Sequence, residues 1–292
     1  MQHFLFAGIS LCVLLAGCGG SSSAGSGNTT NNSSGAQSST SAYDLHILAD
    51  GPVLYLPLSG GNTAPDLTGH GYDGVAHNNP ARTTFPNGDS ATVFNGVSQY
   101  VEVADHDDLS VPTSGVLTIE TWIRPDVLNF PHTETATAPY VYFIGKNTHG
   151  NSEYVCRIYS HDADWVADGI NPPRPNRISG YANNLSGGLG AGSYFQDPIM
   201  VGEWIHYVLV INTVNTNATY PTGYTKIYKN GVLRAQNALI NYGIVPGNGT
   251  APFRIGTATL NSFFEGAIAK VAVYGYELPS ATVQSHYAFV VH

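Results

Sequence analysis

Residues 98–126 read SQYVEVADHDDLSVPTSGVLTIETWIRPD, two alternating apolar runs joined by an acidic turn. In QYVEV, Val101 and Val103 flank Glu102; in LTIETWIR, Leu117, Ile119, Thr121 and Ile123 alternate with Thr118, Glu120, Trp122 and Arg124. Successive side chains of a strand point to opposite faces, so this period of two predicts a strand on each side of the turn. Between them Asp105, His106, Asp107 and Asp108 gather within a few positions of Glu102. Acids and a histidine so placed suggest a metal or catalytic site, but turns hold such residues for a plainer reason. Asp105 or Asp108 is expected to accept hydrogen bonds from turn amides, with no ligand or reaction needed.

The same period runs outward in both directions. VLYLPL (53–58), ATVFN (91–95), YVYFIG (140–145), EYVCRIYS (153–160) and NRISGYA (176–182) alternate, as do WIHYVLVIN (204–212), YTKIYKNGVLRAQ (224–236), FRIG (253–256) and FFEGAIAKVAVYG (263–275). Asn230-Gly231 supplies the positive-φ pair of a tight hairpin. One helix is expected, over LPSATVQSHYA near the C-terminus, with Ser280 as its N-cap. About a dozen strands without strand–helix alternation predict an all-β, two-sheet antiparallel sandwich over 43–292.

Composition narrows the setting. Of 292 residues only 11% are charged, while 33 are glycine and 18 tyrosine, a neutral hydrogen-bonding surface of extracellular type. The net charge of −9 and 11 scattered basic residues argue against nucleic acid as a partner. Residues 1–18, MQHFLFAGISLCVLLAGC, carry an apolar run too short to span a bilayer and read as an export signal. No Lys or Arg precedes that run, which leaves the true start open. LAGC, ending at Cys18, resembles the lipobox of bacterial lipoproteins. That resemblance implies lipidation of Cys18, a membrane anchor, and display on the outer membrane or cell surface; a plain signal peptide with a chance cysteine is the alternative. Residues 19–42, rich in Ser, Gly and Asn, read as a flexible tether. Cys156 then stands alone in the mature chain, expected to be a buried thiol on the face of Tyr154 and Ile158.

Taken in order, LYLPLSGG, DLTGHGYDG, ATVFNGVSQYVEVADHDDLS, LTIETWIRPD, GEWIHYVLVIN, KIYKNGVLRAQ and FFEGAIAKVAVYGYELPSATVQSHYA resemble the laminin-G-like, concanavalin A-like jelly rolls of bacterial surface proteins. The resemblance runs from Val53 to Ala288. It implies two large antiparallel sheets and, in many relatives, glycan binding on one face. It also accounts for GHGYDG (69–74), which fits a dinucleotide fingerprint to the letter but is followed by no helical periodicity. In relatives this loop can hold a structural calcium, here with Asp66 and Asp73 as the donors. Against calcium, the family's acidic position near the last strand reads Ala269, followed by Lys270.

Several enzymes share this sandwich, but the seven glutamates nowhere open E-x-D-x-x-E, the spacing that puts two carboxylates on one strand face. A non-catalytic glycan-binding or adhesive domain is therefore expected. The alternatives are a polysaccharide-active hydrolase or lyase and a structural domain that contacts protein. Parity picks the candidate ligand-binding residues: Arg157 and Tyr159 point away from Cys156 and Ile158, and Arg177 and Tyr181 away from Ile178 and Ala182. Glu120 and Trp122 point away from Ile119 and Ile123 and would join them, unless Glu120 pairs with an arginine and Trp122 is wedged under a loop. Trp165 in HDADWVADGINPPRPNR (161–177) and Tyr194 in NNLSGGLGAGSYFQD (183–197), whose small residues let a ligand approach the backbone, complete the set. His70, His77 and His206 read as hydrogen-bonded structural residues.

Overall fold

The computed structural model describes residues 40–134, 139–163 and 173–292. The signal with Cys18, the tether up to residue 39, and Asp164, Trp165 and Asp168 lie outside the described residues.

In chain order the elements are α1 (Ala42–Ala49), β1 (Leu54–Leu56), β2 (Thr63–Ala64), β3 (Gly74–His77), β4 (Ala81–Thr84), β5 (Ser90–Asn95) and β6 (Tyr100–Val103). Past the acidic turn come α2 (Val111–Ser114), β7 (Val116–Pro125), β8 (Tyr140–Thr148), β9 (Asn151–Tyr159), β10 (Arg177–Ala182) and β11 (Ala191–Gln196). The last third contributes β12 (Ile205–Asn212), β13 (Tyr224–Lys229), β14 (Val232–Ala238), β15 (Phe253–Ile255), β16 (Glu265–Tyr274) and α3 (Ser280–Val291). They form two antiparallel sheets, the expected jelly-roll sandwich. One sheet runs β14-β13-β12-β7-β16-β5-β4 with β1 also on β16; the other runs β11-β10-β9-β8-β15-β6-β3-β2. Asn230 (φ 53°) and Gly231 (φ 78°) turn the β13–β14 hairpin as their positive φ demands.

The faces that parity sends inward meet between the sheets. Leu117, Ile119 and Ile123 of β7 pack in one cluster with Cys156, Ile158, Ile178, Tyr207 and Leu209. Cys156 is a free buried thiol, and burial pushes its pKa up to about 12, so it is inert as a nucleophile at neutral pH.

The other face of the first sheet is also buried, which alternation alone does not predict. Helices α1 and α3 cover it: Tyr43, Ile47 and Val283 pack with Tyr55, Val208, Val210, Tyr228 and Tyr274. Helix α1 begins inside the stretch read as tether. Its signal is the capping box S-A-Y-D at 41–44, in which Ser41 Oγ accepts from the Asp44 amide and the Asp44 carboxylate accepts from the Ser41 amide. For α3 the cap is Pro279 rather than Ser280, whose hydroxyl instead meets the Tyr228 hydroxyl at 3.0 Å.

The acidic turn tethers other segments instead of capping its own amides. Asp108 accepts from the Tyr72 hydroxyl (2.9 Å), Asp107 from the Asn248 amide (2.8 Å), and Asp105 pairs with the buried Lys146 ammonium (2.6 Å). His106 stacks on Tyr72, ring centroids 3.9 Å apart. Two loops and strand β8 are thus tied to the acidic turn by side chains a sequence reading assigns to a single turn.

Candidate functional site

The outer face of the second sheet carries a groove across β8 to β11. Cross-strand register places Tyr142 opposite Arg157, Arg157 opposite Ser179, and Ser179 opposite Tyr194, a row across β8, β9, β10 and β11. A second row joins Tyr140 to Tyr159, and Arg177 to Gln196. With the 186–190 loop and Tyr242 these strands line a groove of about 1240 Å³. At its margin Leu189, Tyr194 and Tyr242 are 76%, 44% and 56% exposed, apolar surface left in water where a ligand can cover it.

Arginine and tyrosine organise the floor. The Arg157 guanidinium lies 4.4 Å from the Tyr140 ring centroid and 4.2 Å from that of Tyr181, with Tyr159 at 5.1 Å. Its Nε donates to Ser179 Oγ at 3.4 Å. Arg177 sits over the Tyr194 ring at 3.9 Å and donates from Nε to Gln196 Oε1 at 3.0 Å. Arg174 donates to the Tyr159 hydroxyl at 3.0 Å. A guanidinium held flat against rings keeps its plane and donor directions fixed, so little freedom is lost when it binds. Burial alone would raise the Tyr181 phenol pKa, but Arg157, with Ser179 and Arg177, brings it below the ordinary tyrosine value. Tyr181 reaches over β11 because Gly192 has no side chain: a Cβ there would stand 2.4 Å from Tyr181 Cδ1.

Of the residues singled out by sequence, Arg157, Arg177, Tyr181 and Tyr194 therefore line one groove, while Tyr159, 1% exposed, packs behind Arg157 and does not line it. Trp165 lies outside the described residues. Glu120 and Trp122 do not join them, and their assignment to this patch is corrected here. They belong to β7 of the first sheet and are each 1% exposed, beneath α1 and α3. Trp122 packs with Phe85 and Tyr287 and donates from Nε1 to the Tyr43 hydroxyl at 3.0 Å. Glu120 pairs with histidines, not arginine: His206 Nε2 at 2.6 Å and His286 Nδ1 at 2.9 Å, with the Tyr274 hydroxyl at 3.0 Å. His286 Nε2 in turn faces Asp50 at 2.9 Å.

The carboxylates expected to hold calcium are engaged by their own loop and by β1. Asp66 is ringed by donors: the amides of Tyr55 (3.0 Å), Thr68 (3.1 Å) and Tyr72 (3.2 Å) and the Thr68 hydroxyl (2.7 Å). Asp73 accepts from the Asp66 amide at 2.7 Å. A cation there would meet amide protons where it needs oxygens, so these residues do not fit calcium. Gly69 (φ 87°) and Gly71 (φ 80°) serve turns, as expected of this loop.

Parity could have added two residues that sequence reading missed. In YVYFIG, Tyr140 and Tyr142 lie opposite Val141 and Phe143, both of which are fully buried. Tyr242 carried no signal, since it reaches the groove from a loop far along the chain.

Comparison with known proteins agrees with this architecture. Residues 95–284 match the family model described as the Concanavalin A-like lectin/glucanases superfamily. No curated protein matches the sequence. Among solved structures, the botulinum neurotoxin type G receptor binding domain is similar at TM-score 0.55 and 15% identity, covering 82% of this chain and 51% of that one. The binding domain of botulinum neurotoxin DC, solved in complex with SialylT, gives TM-score 0.58 and 16% identity over 82% and 52%. A structure of botulinum neurotoxin type C, whose cell entry is described as dependent upon interaction with two ganglioside molecules, gives 0.57 and 15% over 82% and 51%. The chain thus spans about half the length of the structures it resembles. At these identities the likeness is one of fold.

Proposed function

The chain belongs to the Concanavalin A-like lectin/glucanases superfamily, and from its groove we propose that it is a non-catalytic glycan-binding domain. The observation that carries this reading is the ladder of Tyr140, Arg157, Tyr181, Arg177 and Tyr194 lining the groove. Sugar rings have apolar C–H faces that stack on aromatics and hydroxyls that take paired hydrogen bonds from planar guanidinium groups. Neighbours of the same fold lend support, one solved with SialylT and one whose cell entry is described as dependent upon gangliosides. Against hydrolysis, Glu134 is the sole carboxylate among the described lining residues, whereas glycosidases of the usual kind work with two.

A glycan array probed with the full chain tests this. Tyr181→Ala is expected to weaken the best ligand about tenfold, the worth of one stacked ring, while the melting temperature holds. An array without any bound glycan would sink the proposal. Release of reducing ends or unsaturated sugars from a bound polysaccharide would instead promote the enzyme reading. We further propose that lipid on Cys18 displays the domain at the cell surface, through the tether that follows it. Labelled palmitate should enter the wild-type protein and not Cys18→Ser; equal labelling of both would refute the anchor.

A further inference from the structure

We infer that the groove takes an acidic glycan, one whose sugar rings carry carboxylate or sulfate groups. This deepens the glycan-binding reading above and rests on it.

The chain pairs most of its cations with carboxylates. All four lysines are paired with carboxylates: Lys146 with Asp105 and Glu153, Lys226 with Glu277, Lys229 with Asp197, Lys270 with Asp44 and Asp89. Arg124, Arg234 and Arg254 are likewise paired, with Asp126, Asp197 and Glu102. Arg82 lies on β4, away from the groove, while Arg157 and Arg177 line it. Neither Arg157 nor Arg177 has a carboxylate in ion-pair range among the described residues; rings, Ser179 and Gln196 surround them instead. Glu134, the one acid on the described lining, is committed to the hydroxyls of Thr259 (2.8 Å) and Ser262 (2.9 Å).

A protein of net charge −9 therefore carries a locally positive groove. The arrangement is selective for charge. A neutral ligand that covers these guanidinium groups removes water from two cations and returns only neutral hydrogen bonds. A carboxylate or sulfate returns charge-assisted, bidentate bonds, which are roughly twice as strong. Tyrosine faces beside each cation supply the sugar-stacking surface, so the site addresses ring and charge together. A polynucleotide would need a longer basic track, and the four lysines and Arg124, Arg234 and Arg254 are already paired with carboxylates.

Titration calorimetry on the full chain with matched polymers tests this. Polygalacturonate is compared with its carboxyl-reduced form, and dextran sulfate with dextran. At least one acidic polymer should bind about tenfold or more tighter than its neutral counterpart, and added salt should weaken it. Which pair responds separates a carboxylate from a sulfate preference. Arg157→Gln and Arg177→Gln should each cost about tenfold in affinity with unchanged melting temperature, and Arg157→Lys, which keeps charge without the plane, should fall between. Equal affinity for the acidic and neutral members of both pairs overturns this inference while leaving the glycan-binding reading intact. Failure to bind any of the four polymers or any arrayed glycan overturns both. Binding of poly(dT) as tight as that of the acidic polymers overturns the assignment to a saccharide.

Discussion

Glu120→Gln is expected to cost about 3–5 kcal/mol of stability and to flatten its dependence on pH. Glu120 is buried between two imidazoles, and the desolvation that would raise its pKa is outweighed by His206 and His286, which hold it at about 2 against an ordinary 4.5. Its share of stability is therefore full above pH 4.5 and is lost as pH falls toward 2. His286 runs the other way. Burial alone would lower its pKa, but Glu120 and Asp50 raise it above the ordinary 6.5. Its share is full below pH 6.5 and is lost as pH rises through the folded value. The network is therefore strongest between pH 4.5 and 6.5. Glutamine keeps the size of Glu120 but leaves two imidazoles without their anion, and His286 hydrogen-bonds α3 to β7. Melting curves across this range should drop by about 10 °C for the variant at pH 5.5, and by less at pH 8. A variant that melts within a degree or two of wild type at both pH values would show that packing of α1 and α3, not the buried charge, holds this face.

Why Glu120 was misplaced explains what the sequence can and cannot disclose. Period two correctly split β7, β9 and β10 into inner and outer faces, because alternation is a property of one strand. It does not say what lies beyond an outer face. Arg157 and Tyr181 look outward into a groove; Glu120 and Trp122 look outward from a sheet roofed by two helices. The first helix was hidden in the composition of the tether, and α3, though expected, gave no hint of the sheet it would cover. The same limit applies to the acidic turn. Its residues were legible as turn formers, but their partners Tyr72, Lys146 and Asn248 are set by tertiary contacts with two remote loops and strand β8. Hydrogen-bond partners far apart in sequence leave no local period to read.

Lys270→Met should be the second severe lesion on that face, again about 3–5 kcal/mol. Lys270 occupies the bulge between Ala269 and Ala272 at φ 57°, a conformation that turns its side chain outward beneath α1. Its ammonium, 2% exposed, lies 2.6 Å from Asp44 of α1 and 2.6 Å from Asp89 of the β4–β5 turn. Methionine fills similar volume but leaves both carboxylates without their shared cation. Asp44 keeps only the Tyr55 hydroxyl (2.6 Å) and the Ser41 amide (3.1 Å), too little for a buried anion. The helix should therefore detach first. Chymotrypsin would then cut near Tyr43 or Leu45, and Trp122, losing its Tyr43 partner, would shift its emission to the red. Adding Asp44→Asn to Lys270→Met removes the stranded charge and should restore part of the loss, a coupling of one kcal/mol or more on the order expected for a direct pair. Since the groove lies on the other sheet, glycan affinity of the surviving fold should hold. If the two substitutions prove additive and proteolysis is unchanged, α1 is held by its apolar face alone.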